Sequence, residues 1–334
     1  MANSYIETFS SFREKIGRGQ THLKSLFAYN SHLRQSRLKG PLELQIQTVD
    51  RCNAACIMCP YASTKESGPP NYMPEELFSK ILNDLSEVNT ANSICLMLQN
   101  EPLIDHFLDG RIQETKRILG AQCQLKVVTN GSLLTTDRVD SLIASGLDQI
   151  AVSIDAHQED TFHAIRKGLN FSKIVENTKE LLRRRGNTKV SIKFLRQIAN
   201  EGEEEDFARF WKSHGARVRF AEMANRAGAL NEFERLKSAH VNPFRILASS
   251  ILNRIMPTCA LPFTRMYILW DGRVILCCHD WDIKDIVGDL TKQSISQVWN
   301  GEKMNHYRHL LWTRRTEKSV ICRDCSLAKG FWTV

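Results

Sequence analysis

The chain has 334 residues, ten of them cysteine, with 42% hydrophobic and 25% charged side chains and a net charge of +8. This composition excludes intrinsic disorder and allows one large domain or two unequal ones; without an aromatic-interleaved basic stripe it argues against a nucleic-acid partner, while the mild positive excess suits an anionic substrate or a partner protein. No stretch reaches the ~18 apolar residues of a membrane span and residues 1–29 lack a signal-peptide core, so the cysteines point to metal or redox chemistry in the reducing cytoplasm rather than to disulfides.

Residues 1–42 read as an N-terminal helical extension. From residue 43 onward β-rich runs alternate with amphipathic stretches, which predicts repeated βα units around a parallel sheet. Strands are expected over 43–49, 93–98, 124–129, 149–154, 190–197 and 217–221. A helix over 74–88 opens on a proline, and one over 174–185 places Ile174, Val175, Thr178, Leu181 and Leu182 at helical spacing. Six such units fit a partial (β/α)6 barrel spanning 43–224. Residues 225–258 then form a connector containing a helix. The segment 259–334 is expected as a small α+β domain, with strands 266–269 and 273–276 turning at Asp271-Gly272, followed by two short helices.

Cys52-x3-Cys56-x2-Cys59 directly follows the first strand, so three thiolates lie on one loop at the C-terminal end of a parallel strand, where ligands gather in α/β architectures. Three thiolates can hold three irons of a cubane and leave the fourth open, whereas structural zinc normally takes four ligands. The motif and its placement resemble the radical S-adenosylmethionine (SAM) superfamily over about residues 43–221. The resemblance implies a 4Fe-4S cluster whose open iron is chelated by SAM, and reductive cleavage of SAM to a 5′-deoxyadenosyl radical that abstracts a substrate hydrogen. It implies further that Met58, a soft side chain suited to a flat ring, packs on the adenine. The superfamily's Gly-Gly-Glu-Pro appears as Gln99-Asn100-Glu101-Pro102. Glu101 and Pro102 match; both glycines are replaced, and Glu101 remains available to accept the methionine ammonium. Asn100 lies at the same turn. Thr129 and Ser153 fall where ribose and carboxylate are contacted, and Arg166 is a charge partner for the carboxylate.

Cys259, Cys277, Cys322 and Cys325 form a second array, Cys-x17-Cys-x44-Cys-x2-Cys, in which a hairpin and a knuckle can close a four-thiolate site. Zinc and an iron-sulfur cluster both satisfy that chemistry. The array is similar to the auxiliary-cluster domain called SPASM, or twitch in its reduced form, which implies one auxiliary 4Fe-4S cluster. Cys277 is preferred to Cys278 from the Gly272-x4-Cys277 spacing of that family. Cys278 reads first as a packed thiol and second as a hydrogen donor to a radical. Cys95 and Cys123 read as core thiols, and Trp299, Trp312, Phe331 and Trp332 as packing around a cluster.

A fully ligated auxiliary cluster suits electron transfer, and the layout resembles radical dehydrogenases of the aminocyclitol type, as in butirosin biosynthesis. The expectation is an oxidoreductase that abstracts hydrogen from a sugar or aminocyclitol alcohol, served by an electron donor such as flavodoxin or ferredoxin. Cys278, His279 and Asp280 are the candidate catalytic residues, His279 and Asp280 as acceptors of the hydroxyl proton. Rival readings are a sugar epimerase with Cys278 as hydrogen donor, a maturase acting on a peptide substrate, and a non-enzymatic zinc or nucleic-acid-binding protein.

Overall fold

A computed structural model describes residues 39–64, 68–239 and 257–329. Residues 1–38, with the expected N-terminal extension, and 240–256, where most of the connector falls, lie outside the described residues, as do Phe331 and Trp332.

Six strands form the parallel array: β1 (Glu43–Ile46), β2 (Ser93–Cys95), β3 (Gln124–Thr129), β4 (Gln149–Ser153), β5 (Lys189–Arg196) and β6 (Arg217–Glu222). Helices run between them: α1 (Glu75–Val88), α2 (Leu108–Leu119), α3 (Thr136–Ala144), α4 (Glu159–Ile165), α5 (Phe171–Arg184) and α6 (Glu204–Ser213). The local causes are ordinary. In β3 burial alternates along the strand, as a sheet packed differently on its two faces requires. Helix α1 buries Leu77, Phe78, Ile81, Leu82 and Leu85 on one stripe, starts after Pro74 and ends where Asn89 turns left-handed at φ 50°. Helix α5 buries Ile174, Thr178, Leu181 and Leu182.

The C-terminal segment joins the same sheet. Strand β7 (Arg265–Ile268) pairs parallel with β1, and β8 (Arg273–Ile275) and β9 (Ile286–Asp289) continue antiparallel, giving the order β6-β5-β4-β3-β2-β1-β7-β8-β9. Gly272 makes the β7–β8 turn at φ 88°, a conformation open to glycine without strain. Helices α7 (Ile295–Trp299) and α8 (Glu302–Trp312) follow. Trp299 is buried beneath the Arg308 guanidinium, 4.1 Å from its ring centre, while Trp312 is exposed. Among the described residues no helix is long and apolar enough to cross a membrane.

Candidate active site

The loop leaving β1 is held from several sides. Glu101 N donates to Arg51 O (2.8 Å), Ala55 N to Lys167 O (2.9 Å) and Ile57 N to Ile165 O (3.0 Å). Asn53 adds a side-chain clasp: its amide donates to Ser132 Oγ (2.9 Å) and its oxygen accepts from Asn130 Nδ2 (2.8 Å). The loops after β1, β2 and β3 and the end of α4 therefore form one hydrogen-bonded assembly. Gly131 permits this crowding at φ 81°, where a side chain would meet Val152 Cγ1 at 2.9 Å.

Cys52, Cys56 and Cys59 border a cavity of about 370 Å³ at the strand ends. Met58, Asn100, Glu101, Thr129, Ser153 and Arg166, the cofactor-binding residues expected from sequence, border it too. Burial pushes the Cys52 thiol up to about 12 and raises Cys56 and Cys59 as well, Arg166 pulling Cys56 back. Metal loading must therefore displace protons from these thiols. Among the described residues no three His, Cys, Asp or Glu side chains converge as a single ion requires. Three thiols beside open space fit a larger cluster with one free coordination position.

Two charged groups are tied into the scaffold. Glu101 is 2% exposed; its carboxylate accepts from Thr129 Oγ1 (2.6 Å), Asn130 N (2.7 Å) and Leu103 N (3.2 Å). The hydroxyl expected to meet ribose is thus engaged with Glu101, and the two residues brace the β2 and β3 loops together. Arg166 forms a buried ion pair with Asp155 and donates to Cys56 Sγ at 3.8 Å. Asp155 holds φ 66° and also accepts from Leu195 N (2.8 Å).

The departure from Gly-Gly-Glu-Pro has a structural account. Gln99 sits at φ 58°, left-handed backbone in which glycine carries no steric cost. Its side chain gives something in return: Nε2 donates to Asp280 O at 3.0 Å and Cys278 O at 3.4 Å, linking the β2 loop to the C-terminal segment.

Burial raises the Glu101 carboxyl to about 7, against the pull of its three donors. The folded chain then holds more protons than the unfolded chain between pH 4.5 and about 7, so stability falls as pH rises through that window and is level above it. Glu101→Gln is expected to flatten this slope in thermal melts of metal-free protein. A slope equal to that of the parent would assign it to other groups.

The second cysteine array closes on a small cavity. Cys259, Cys277, Cys322 and Cys325 border it together with His279 and apolar side chains including Leu276 and Leu311. All four thiols are buried; burial raises Cys259 and Cys277 and puts Cys322 at about 11. Four enclosed thiols fit a fully ligated cluster. Cys277 borders this space and Cys278 borders the large cavity.

The catalytic candidates separate in the same way. Cys278 borders the large cavity, but His279 and Asp280 do not. Burial, helped by Arg226 and Arg265, drives His279 down to about 3, so it is neutral at physiological pH. Asp280 is 1% exposed and accepts from Lys284 N at 3.0 Å. The expectation that these two take a substrate proton is corrected by burial: the chain turns them inward after Cys278.

The large cavity also holds residues that motif reading missed, notably Lys193, Arg226 and Trp281. Lys193 had a signal. Val190, Ile192 and Phe194 are buried on one face of β5, leaving Ser191, Lys193 and Leu195 on the face toward the barrel interior. Arg226 and Trp281 belong to irregular segments with no such periodicity.

The profile of the radical SAM superfamily matches residues 46–208, and that of an iron-sulfur cluster-binding (SPASM) domain matches 259–326. A SAM-dependent 2-deoxy-scyllo-inosamine dehydrogenase of Niallia circulans is 21% identical over 85% of this chain and 92% of its own. A GTP 3′,8-cyclase of Clostridium botulinum is 29% identical over 54% of this chain and 56% of its own. Among solved structures, BtrN in complex with AdoMet and 2-DOIA has a TM-score of 0.58 and 18% identity, covering 85% of this chain and 92% of that one. Streptococcus suis SuiB bound to its precursor peptide SuiA has a TM-score of 0.68 and 17% identity, covering 93% and 74%.

Proposed function

We propose, from the premise that this chain belongs to the radical SAM superfamily and carries a SPASM iron-sulfur domain, that it is a dehydrogenase of a polar, alcohol-bearing small molecule of sugar or aminocyclitol type. Membership makes it an enzyme that uses SAM and 4Fe-4S clusters, which sets aside the zinc or nucleic-acid-binding reading. In this proposal Cys52, Cys56 and Cys59 ligate the SAM-binding cluster and Cys259, Cys277, Cys322 and Cys325 the auxiliary one. Residues 43–224 act as the barrel, 225–258 as connector and 259–334 as the auxiliary domain, in the cytoplasm, with flavodoxin or ferredoxin as reductant.

When bound, these groups supply a 5′-deoxyadenosyl radical to take a hydrogen atom and an auxiliary cluster to take an electron. With the hydroxyl proton released to a base, one hydrogen atom, one proton and one electron leave the secondary alcohol, and a ketone remains. The chain's own residues position the reaction. Met58 and Asn100 border the SAM space, the Asp155–Arg166 pair fixes a cation beside Cys56, and Gln99 ties the β2 loop to the segment after the auxiliary cysteines.

The observation that carries this reading is the set of four buried cysteines around one small cavity, next in the chain to a residue of the large cavity. A site closed by four thiols has no position for substrate, and electron acceptance is the role left to it. The relationship to the Niallia circulans dehydrogenase supports the same outcome.

One observation favours a second reading. Cys278 borders the large cavity, where an epimerase needs a hydrogen donor. A substrate deuterated at the reacting carbon distinguishes the two. Deuterium in 5′-deoxyadenosine with an equal amount of ketone is expected, and Cys278→Ser retains the ketone. An epimer carrying solvent hydrogen, lost in Cys278→Ser, would replace dehydrogenation by epimerisation. Peptide maturation, suggested by the likeness to SuiB, predicts instead no turnover without a precursor peptide.

A further inference from the structure

Lys193, Arg226 and Trp281 border the large cavity yet have no part in the cofactor reading. Among the described residues neither Lys193 nor Arg226 has a carboxylate within ion-pair distance, although Arg226 acts on the Cys59 and Cys278 thiols. Asp155 is paired with Arg166, and Glu101 accepts from Thr129, Asn130 and Leu103. The fully buried side-chain atoms of this wall that lack a partner, Asn100 Nδ2, Arg166 Nε, Arg226 Nε and Trp281 Nε1, are all N–H donors.

Arg226 is also placed with care. It occupies left-handed backbone at φ 53°, as does Ala227, and its Nη1 lies 3.5 Å from His279 Nδ1. A bulky residue keeps such a conformation only where its surroundings enforce it, and these positions cluster at functional sites. Burial, together with Arg219 and Arg226, lowers the Lys193 ammonium below its ordinary range, against the pull of Cys95 and Asp155. A wall with unmatched cations and unmet donors is complementary to an anion.

We propose that Lys193, Arg226 and Trp281 form a subsite for an anionic group of the substrate, a carboxylate or phosphate, beside the SAM site. The inference rests on the radical SAM reading and sharpens it: a substrate bearing only an amine would face two like charges, so an acidic sugar or a phosphate ester is the fitting class. The same chemistry would suit the carboxylate of SAM itself, and the test separates the two.

The experiment is calorimetric titration of inorganic phosphate into anaerobically reconstituted holoenzyme, with and without saturating SAM. Binding is expected in both states, weakened about tenfold in Lys193→Met and in Arg226→Gln and kept in Lys193→Arg, with iron content and SAM affinity as in the parent. No phosphate binding at roughly 20 mM, or binding indifferent to both substitutions, would overturn the proposal. So would its loss on adding SAM, or a matching loss of SAM affinity in the variants, since either would give these cations to the cofactor carboxylate. Formation of 5′-deoxyadenosine by the same preparations reports separately on the radical reading, so the two ideas can fail independently.

Discussion

Cys52→Ala is expected to abolish reductive cleavage of SAM while leaving the fold intact. Cys52 borders the large cavity from a loop already held by backbone bonds at Arg51, Ala55 and Ile57, so its thiol is not needed to build that loop. It is one of three thiols that the loop after β1 places on that cavity, and the two left on the loop cannot retain a cubane with a single open iron. Anaerobic reconstitution should therefore give about eight irons per chain in the parent and about four in the variant. The assay is 5′-deoxyadenosine by chromatography after addition of SAM and a strong reductant: present in the parent, undetectable in Cys52→Ala. Cleavage by the variant at the parental rate would show that the cofactor is activated elsewhere.

Cys322→Ala should lose as much product by another route. Cys322 borders the small cavity with Cys259, Cys277 and Cys325, and its backbone N donates to Ser319 Oγ at 2.9 Å, so the knuckle is shaped before metal binds. Removing one of four enclosed ligands opens or empties the auxiliary site without touching the cavity that holds Cys52. Iron should again fall toward about four per chain, but 5′-deoxyadenosine should still form, now without an equivalent of ketone. Retention of the ketone in a preparation lacking auxiliary iron would remove that cluster from the electron path and give the electron another acceptor. The contrast between the variants is the informative part, since one stops the radical at its source and the other leaves a substrate radical with nowhere to send its electron.

By itself the sequence determined the βα alternation, the starts of most strands and the two sets of cysteines. These are local properties: period-2 burial in β3, the apolar stripe of α1, the glycine at the β7–β8 turn and the short spacings Cys52–Cys59 and Cys322–Cys325. What only the tertiary structure decided depends on contacts between distant segments. Pairing of β7 with β1 carries the C-terminal segment into the barrel's own sheet, and no local pattern in 265–268 specifies that neighbour. Glu101 became an internal brace because three donors from the β2 and β3 loops converge on it. His279 and Asp280 were placed away from the large cavity by the turn after Cys278, while Lys193, Arg226 and Trp281 were gathered around it from three separate elements. Ligand spacing within one loop is written in adjacent residues, whereas the charge of a cavity wall is a sum over segments that meet only when the chain closes.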